Sequence, residues 1–379
     1  MTVIPANSAA MSLPADAARR MVPGWVSAWL WSVAFLVILM VMVGGATRLT
    51  GSGLSITEWR PVSGAVPPLS EADWVAEFAR YQASPQYHLL NAGIGLADFK
   101  SIFWWEWGHR QLGRFIGLVY AAGFLIGLAR RAFPLGIGLR LAGMGLLLGF
   151  QGLIGWVMVA SGLKAGMTAV EPVDLAAHLF FASLFLVTLV AMATRLGSPA
   201  QTGRMPGRTT ARLPRLIVLM VLLQLVLGAL VAGSHAGLIY NSWPSMDGRF
   251  VPPLQELFAG EPWWANFFEN VTLIQLDHRL GAYLLVVLAL WNAASWPKRG
   301  RDPKLGRLAQ LLALLVLAQM GLGIVTLVFA VPLAAALGHQ LLAMFVLIAA
   351  VRLATLARKP LIEAGPAAAS PLAAHVATR

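Results

Sequence analysis

Four of the seven histidines, His109, His178, His278 and His339, each fall in a different apolar stretch of the chain. An imidazole in such a stretch either donates an interhelical hydrogen bond or binds a metal. Within each half of the chain the two histidines are separated by one hairpin and a loop, which lets facing helices aim both imidazoles at one object. A pair of imidazoles across a helical bundle is a haem site. Zinc calls for further ligands close by, and no others are repeated. A di-iron carboxylate centre calls for two Glu-x-x-His motifs and two more glutamates; the chain has Glu106-Trp107-Gly108-His109 once, against Gln275-Leu276-Asp277-His278 in the matching place. The absence of cysteine excludes disulfides, iron-sulfur clusters, thiolate ligation of haem and cysteine nucleophiles.

Glu106 lies one turn before His109 and so shares its helix face. Either it is an interfacial acid paired with Arg110 or Arg114, or it acts as a base or stabilises positive charge developing on a bound porphyrin. Gln275 is neutral in the same place, so the two pockets are expected to divide into one substrate site and one cofactor site. Arg110 and Arg279 directly follow their histidines; each either forks onto a haem propionate or snorkels to the membrane interface. Gln151 and Gln319, at mid-span, read as helix-helix hydrogen-bonding groups. His88 and His235 have no counterpart in the other half and read as ordinary.

The elements that must hold these groups are membrane spans. Of 379 residues 58% are hydrophobic and only 12% charged, about half the charged share of a soluble domain. Eight spans are predicted, at 25 to 46, 108 to 130, 138 to 160, 175 to 194, 214 to 235, 276 to 296, 308 to 330 and 337 to 356. The net charge of +12 sits in short loops and forms no stripe on a polar domain, so it argues against nucleic-acid binding. Alternate loops collect it: Arg19 and Arg20; Arg130, Arg131 and Arg140; Arg195, Arg204, Arg208, Arg212 and Arg215; Lys298, Arg299, Arg301, Lys304 and Arg307; Arg352, Arg358, Lys359 and Arg379. By the positive-inside rule that side is cytoplasmic and holds both termini. The segments 47 to 107 and 236 to 275 then lie outside. They carry Glu58, Glu71, Asp73, Glu77, Glu256, Glu261 and Glu269 and are expected to form short interfacial helices and turns. Trp59, Trp104, Trp105, Trp107, Trp243, Trp263 and Trp264 read as an aromatic belt. Residues 1–24 form a cytoplasmic tail too weakly basic for a transit peptide, which favours a bacterial inner membrane. The Ala/Pro-rich residues 358–379 are expected to be disordered.

The halves repeat one another. Gly44, Gly53, Leu54, Trp59 and Gly64 match Gly228, Gly237, Leu238, Trp243 and Gly248 at one constant offset. His109-Arg110 then pairs with His278-Arg279, Gln151 and Gly155 with Gln319 and Gly323, and His178 with His339, at shrinking offsets such as loop deletions leave behind. Four spans per half is an even number, so both halves enter from the same side and the repeat axis runs along the membrane normal. The expected fold is an all-α integral membrane protein of eight transmembrane helices in two pseudo-symmetric four-helix bundles. The bundles span 25–196 and 214–357, joined by a cytoplasmic linker at 197–213. The glycines of the third span, Gly143, Gly145, Gly149, Gly152 and Gly155, read as close helix packing.

Three stretches, Gly44-Gly45-Ala46-Thr47-Arg48-Leu49-Thr50-Gly51-Ser52-Gly53-Leu54-Ser55, Asp98-Phe99-Lys100-Ser101-Ile102-Phe103-Trp104-Trp105-Glu106-Trp107-Gly108-His109-Arg110 and Asp277-His278-Arg279-Leu280-Gly281, resemble the haem A synthase family in its proteobacterial and mitochondrial-like form. The resemblance runs from about residue 25 to 357. It implies a bis-histidine haem b cofactor on His278 and His339 in the C-terminal half. His109 and His178 would hold the substrate, haem O, near the periplasmic side, with Glu106 taking part in the chemistry. The implied reaction oxidises a porphyrin methyl group to a formyl group through successive hydroxylations and loss of water, supplying haem A to terminal cytochrome oxidases. A haem O synthase, an electron-transfer partner, the lipid bilayer and a second copy of the chain are the partners this implies. Bacillus-like members carry an outer cysteine pair that this chain lacks, so any redox role of that pair cannot operate here. The rival reading, a di-haem b-type electron carrier, gives Glu106 no task, and four histidines at one depth, one per helix, serve transmembrane electron transfer poorly. A transporter with parallel repeats would place its polar sites at the midplane.

Overall fold

The computed structural model describes residues 22–197, 211–296 and 303–357. Of the predicted segments, residues 1–21 of the N-terminal tail, most of the 197–213 linker and the 358–379 tail lie outside the described residues. So do Arg19, Arg20, Arg204, Arg208, Lys298, Arg299, Arg301, Arg358, Lys359 and Arg379.

The described chain is almost entirely helical, and eight of its helices are long and apolar enough to cross a membrane. They are α1 (Gly24–Leu49), α2 (Leu96–Ala129), α3 (Leu135–Gly162), α4 (Pro172–Gly197), α5 (Arg212–Gly233), α6 (Val271–Ser295), α7 (Pro303–Val328) and α8 (Leu333–Leu356). Proline sets many of their starts. Pro23, Pro134 and Pro332 directly precede α1, α3 and α8, and Pro172 and Pro303 open α4 and α7, positions where a missing amide hydrogen costs nothing. Asn270 caps α6 by accepting from the Thr272 and Leu273 amides.

All eight of these helices begin before the predicted spans. The largest difference is α2, which begins at Leu96 where hydropathy predicts 108. Asp98, Lys100 and Glu106 break the apolar run without breaking the helix. The added turns are held by a covering layer: Phe99 and Phe103 are buried against Trp74 and Tyr81, with the Trp74 and Phe103 rings 4.9 Å apart, edge to face. Trp74 and Tyr81 belong to a helix at Glu71–Gln82 that starts with a capping box between Ser70 and Asp73. Short helices at Pro85–Leu89, Leu254–Leu257 and Asn266–Glu269 complete the caps expected over 47–107 and 236–275.

The packing pattern occurs twice. α1 packs on α2 and α4, and α3 on α2 and α4; α5 packs on α6 and α8, and α7 on α6 and α8. Between the halves α4 meets α5, α8 meets α1, and α4 meets α8. This pattern is consistent with two side-by-side four-helix bundles. The seam is dry: Leu30, Val33, Leu186, Leu189, Ile217, Leu347 and Ala350 are fully buried. Because lipid is as apolar as leucine, close contact and hydrogen bonding must hold such a seam. Gln340 on α8 donates to the Val41 carbonyl of α1 at 2.8 Å; a Cβ on Gly45 would overlap that amide.

Candidate haem-binding cavity

One cavity of about 1490 Å³ opens beneath the capped end and is lined by residues of both halves, among them all four predicted histidines and Glu106. Each imidazole rests on a glycine of the preceding helix. A Cβ at Gly44 would lie 3.1 Å from the His109 ring, at Gly155 2.9 Å from His178, at Gly228 3.1 Å from His278 and at Gly323 2.8 Å from His339. Four of the glycines that mark the repeat in the sequence, Gly44, Gly155, Gly228 and Gly323, are therefore the seats of the histidines.

A glutamine one helical turn before the glycine braces three of the four rings. Gln151 Nε2 donates to the His178 carbonyl at 3.0 Å and lies 3.1 Å from its Nδ1. Gln319 Nε2 does the same for His339 at 2.9 and 3.2 Å, and Gln224 Nε2 for His278 at 2.8 and 3.0 Å. Gln151 and Gln319 thus link helices as expected, and they do so at the histidines themselves. Gln224 is missed by sequence reading, although Gln-x-x-x-Gly occurs before Gly155, Gly228 and Gly323 alike. Before Gly44 the same position holds Met40.

The C-terminal pair is geometrically suited to a metal between its rings. The His278 and His339 ring centroids are 6.5 Å apart with planes at 74°, the span that lets two imidazoles reach one atom from opposite sides at roughly 2 Å each. Among the described residues no three His, Cys, Asp or Glu side chains gather at one point. A metal at either pair must therefore bring most of its ligands, as haem iron does. The wall is overwhelmingly apolar, and the glycine seats leave open the space that side chains would fill. The donor set and the cradle both fit haem.

Glu106 is buried at 2% exposure. Its Oε1 accepts from Arg110 Nη2 at 2.6 Å, and its Oε2 accepts from Ser55 Oγ and the Ile56 amide at 2.7 Å each. Gln275 occupies the same place with inverted polarity: its Nε2 donates to the Ala236 and Ile239 carbonyls at 2.7 and 2.6 Å, and its Oε1 accepts from Arg279 Nη2 at 2.9 Å. Arg110 also donates to the Ile56 and Glu58 carbonyls, and Arg279 to those of Tyr240, Pro244 and Ser245. Both arginines thus tie a loop of the cap to the helix that carries the histidine. The interfacial pairing of Glu106 with Arg110 is present, while Arg114 turns to the Arg60 and Pro61 carbonyls and to Gln111.

His235 meets Arg48 across the two halves, Nδ1 to Nη2 at 3.4 Å, and both line the cavity. Burial, and secondarily the Arg48 charge, hold the His235 imidazole below its ordinary pKa. Its position opposite Gly51 in the repeat gives no sequence signal for this contact. Trp59 and Trp243 are half exposed, as an aromatic belt requires, and also line the cavity. His88 lies in the outer helix Pro85–Leu89. Of the third-span glycines, Gly155 seats His178 and Gly145 lies against Tyr120, but Gly143, Gly149 and Gly152 meet no neighbour within 4 Å. Close packing therefore accounts for two of the five; Gly149 and Gly152 instead line the cavity.

The chain also matches known proteins. The family model described as COX15-CtaA, cytochrome oxidase assembly protein, matches residues 27–351. A protein of Methylobacterium radiotolerans named Heme A synthase is 55% identical over 92% of this chain and 94% of its own length. Proteins of the same name from Methylobacterium sp. (strain 4-46) and Azorhizobium caulinodans are 52% and 50% identical, over 94% and 86% of this chain and 98% and 93% of theirs. The chain belongs to the COX15-CtaA family of cytochrome oxidase assembly proteins.

Proposed function

We propose that the protein is a haem A synthase, a membrane oxidoreductase that converts a methyl group of haem O to a formyl group. The conversion takes two hydroxylations and a loss of water, and its product serves terminal cytochrome oxidase. The observation that carries this reading is a single cavity holding two seated histidine pairs, only one of which has a carboxylate beside it. The shared name of the relatives and the match over nearly the whole chain support it.

In this reading residues 25–196 form the substrate bundle and residues 214–357 the cofactor bundle. His278 and His339 ligate a haem b, and His109 and His178 hold haem O. When bound, the haem b supplies one-electron transfer. The cavity wall supports the assignment of substrate to the N-terminal half. Along α2 it runs from His109 to Phe124, whereas along α6 it runs only from His278 to Leu285. At 1.5 Å per residue these are roughly 22 and 10 Å, and the deeper, apolar arm suits a porphyrin with a long isoprenoid tail. Glu106, kept in place by Arg110, Ser55 and Ile56, presents a fixed anion at the wall. There it favours positive charge developing on the porphyrin and offers a proton acceptor. Arg110 and Arg279 line the cavity, and a haem propionate is the anion each would meet there, Arg279 through its buried Nε, which has no other partner among the described residues.

By the positive-inside rule the basic loops support a bacterial inner-membrane protein with both termini cytoplasmic and the cavity near the periplasmic face. A haem O synthase and an electron-transfer protein are the partners the chemistry calls for, and a second copy of the chain is compatible with it. The test is conversion: membranes holding the protein and supplied with haem O should yield haem A by mass analysis. Haem b binding without any haem A would favour the electron-carrier reading.

A further inference from the structure

We propose that the three glutamines are positioning residues that lock their histidines as axial ligands, and that Met40, standing where the fourth should be, leaves His109 the one exchangeable ligand of the four. The inference rests on the haem assignment above.

The four sites are built to one plan. Each histidine sits on a glycine of the preceding helix, and at three of the four sites the residue one turn before that glycine reaches the same ring. At three sites that residue is glutamine, and its Nε2 does two things at once. It pins the histidine's own backbone carbonyl at 2.8 to 3.0 Å, and it stands 3.0 to 3.2 Å from Nδ1. At His178 and His339 the same nitrogen is also 3.3 Å from the imidazole Nε2, so the amide lies over the ring and holds it to the helix backbone. Each of the three amides also leaves its oxygen buried without a partner, Gln151 Oε1, Gln224 Oε1 and Gln319 Oε1. An imidazole that gives Nε2 to a metal carries an N–H at Nδ1, so a ligating ring would be served by this free amide oxygen and not by the glutamine Nε2.

Met40 occupies the place of Gln224. Gln224 packs against Gly281 on α6, where a Cβ would overlap its amide oxygen, and Met40 packs against Gly113 on α2, 3.1 Å from where a Cβ would lie. Methionine matches glutamine in length but has no amide, and its three rotatable bonds let it move. Among the described residues, the His109 side chain has no hydrogen-bond partner. The iron of a haem held by His109 and His178 is thus gripped firmly on one side and loosely on the other, whereas His278 and His339 grip from both sides. Two fixed ligands suit electron transfer; one releasable ligand suits admission and discharge of a substrate haem and access of a small molecule to its iron.

The experiment is a brace swap in the full-length protein loaded with haem b and haem O, with exogenous cyanide and imidazole as ligand probes. In the unmodified protein the probes should bind the haem O iron and leave the haem b iron unperturbed in optical and paramagnetic resonance spectra. Met40→Gln should slow probe binding to haem O about 10- to 100-fold, the usual scale of second-layer effects on metal ligation. Gln224→Met should open the haem b iron to the probes. Met40→Gln keeps the test decisive if Gln224→Met fails to fold. Equal probe binding at both haems of the unmodified protein, or rates untouched by Met40→Gln, would overturn the inference. The haem assignment has its own control: full haem retention in His278→Ala would overturn that assignment, whereas loss of haem there with unchanged probe rates in Met40→Gln overturns only the brace.

Discussion

The two halves share a plan of helices, glycine seats and histidines, and two of the differences in the cavity wall bear on the histidine sites. The N-terminal half has Glu106 and Met40 where the C-terminal half has Gln275 and Gln224. Both differences point the same way. In the C-terminal half the groups beside the histidines are the neutral amides of Gln275, Gln224 and Gln319, each donating to backbone, with Arg279 tied to Gln275 and to the cap. In the N-terminal half a carboxylate is buried at the wall and one imidazole goes unbraced. Burying a carboxylate in an apolar wall is costly unless it is paired and hydrogen-bonded, and here Arg110, Ser55 and the Ile56 amide meet that requirement. In the proposed reading, the features common to both halves hold a haem and those confined to one half are reserved for changing it.

The largest effect that would break the comparison is loss of a ligand. His278→Ala or His339→Ala should empty the cofactor site, read as bound haem per protein. His109→Ala or His178→Ala should stop turnover while leaving the C-terminal haem in place. Loss of both haems from an N-terminal variant would instead assign those histidines a common folding role.

Exchanging the carboxylate and the amide sharpens it. Glu106→Gln should retain cofactor haem and lower formyl production by about 10²- to 10⁴-fold, the range of a general acid-base group. The reverse change, Gln275→Glu, confers no activity. It points a carboxylate oxygen at the Ala236 and Ile239 carbonyls and should cost roughly 1–3 kcal/mol of stability, visible as a lowered unfolding midpoint in detergent.

The glycine seats give a graded test. Gly323→Ala and Gly155→Ala place a methyl group 2.8 and 2.9 Å from their rings, tighter than the 3.1 Å at Gly228 and Gly44. The first pair should weaken haem retention more than the second, measured as haem lost on dilution.

The smallest effect lies at His235, outside the spans. Its pKa in the folded chain is held below the ordinary 6.5 by burial and then by Arg48. As pH falls below 6.5 the unfolded chain takes up this proton first, so stability declines, and it keeps declining until the folded form is also protonated. His235→Asn should remove that part of the slope, and Arg48→Ala should move the His235 titration toward its ordinary value in an NMR pH series.

The histidines, Glu106 and the repeat are legible because each is a matter of residue type and spacing. The eight spans are legible from hydropathy, but the true start of α2 is not. Asp98, Lys100 and Glu106 are polar, and only packing of Phe99 and Phe103 on Trp74 and Tyr81 makes the helix continue through them. The purpose of the glycines and the brace at Gln224 emerge only in three dimensions, since neither a missing Cβ nor a mid-span amide announces which side chain it meets. The Arg48–His235 contact joins two halves far apart in the chain and breaks the repeat, so no pattern within one half reveals it.

The most direct test of a substrate site beside a cofactor site is extraction and mass analysis of the haems bound to the purified protein, from cells that also make haem O. The account predicts haem b together with haem O or haem A in the unmodified protein. It predicts haem b alone in His109→Ala, and haem b without haem A in Glu106→Gln. Haem b filling both sites of the unmodified protein would contradict it.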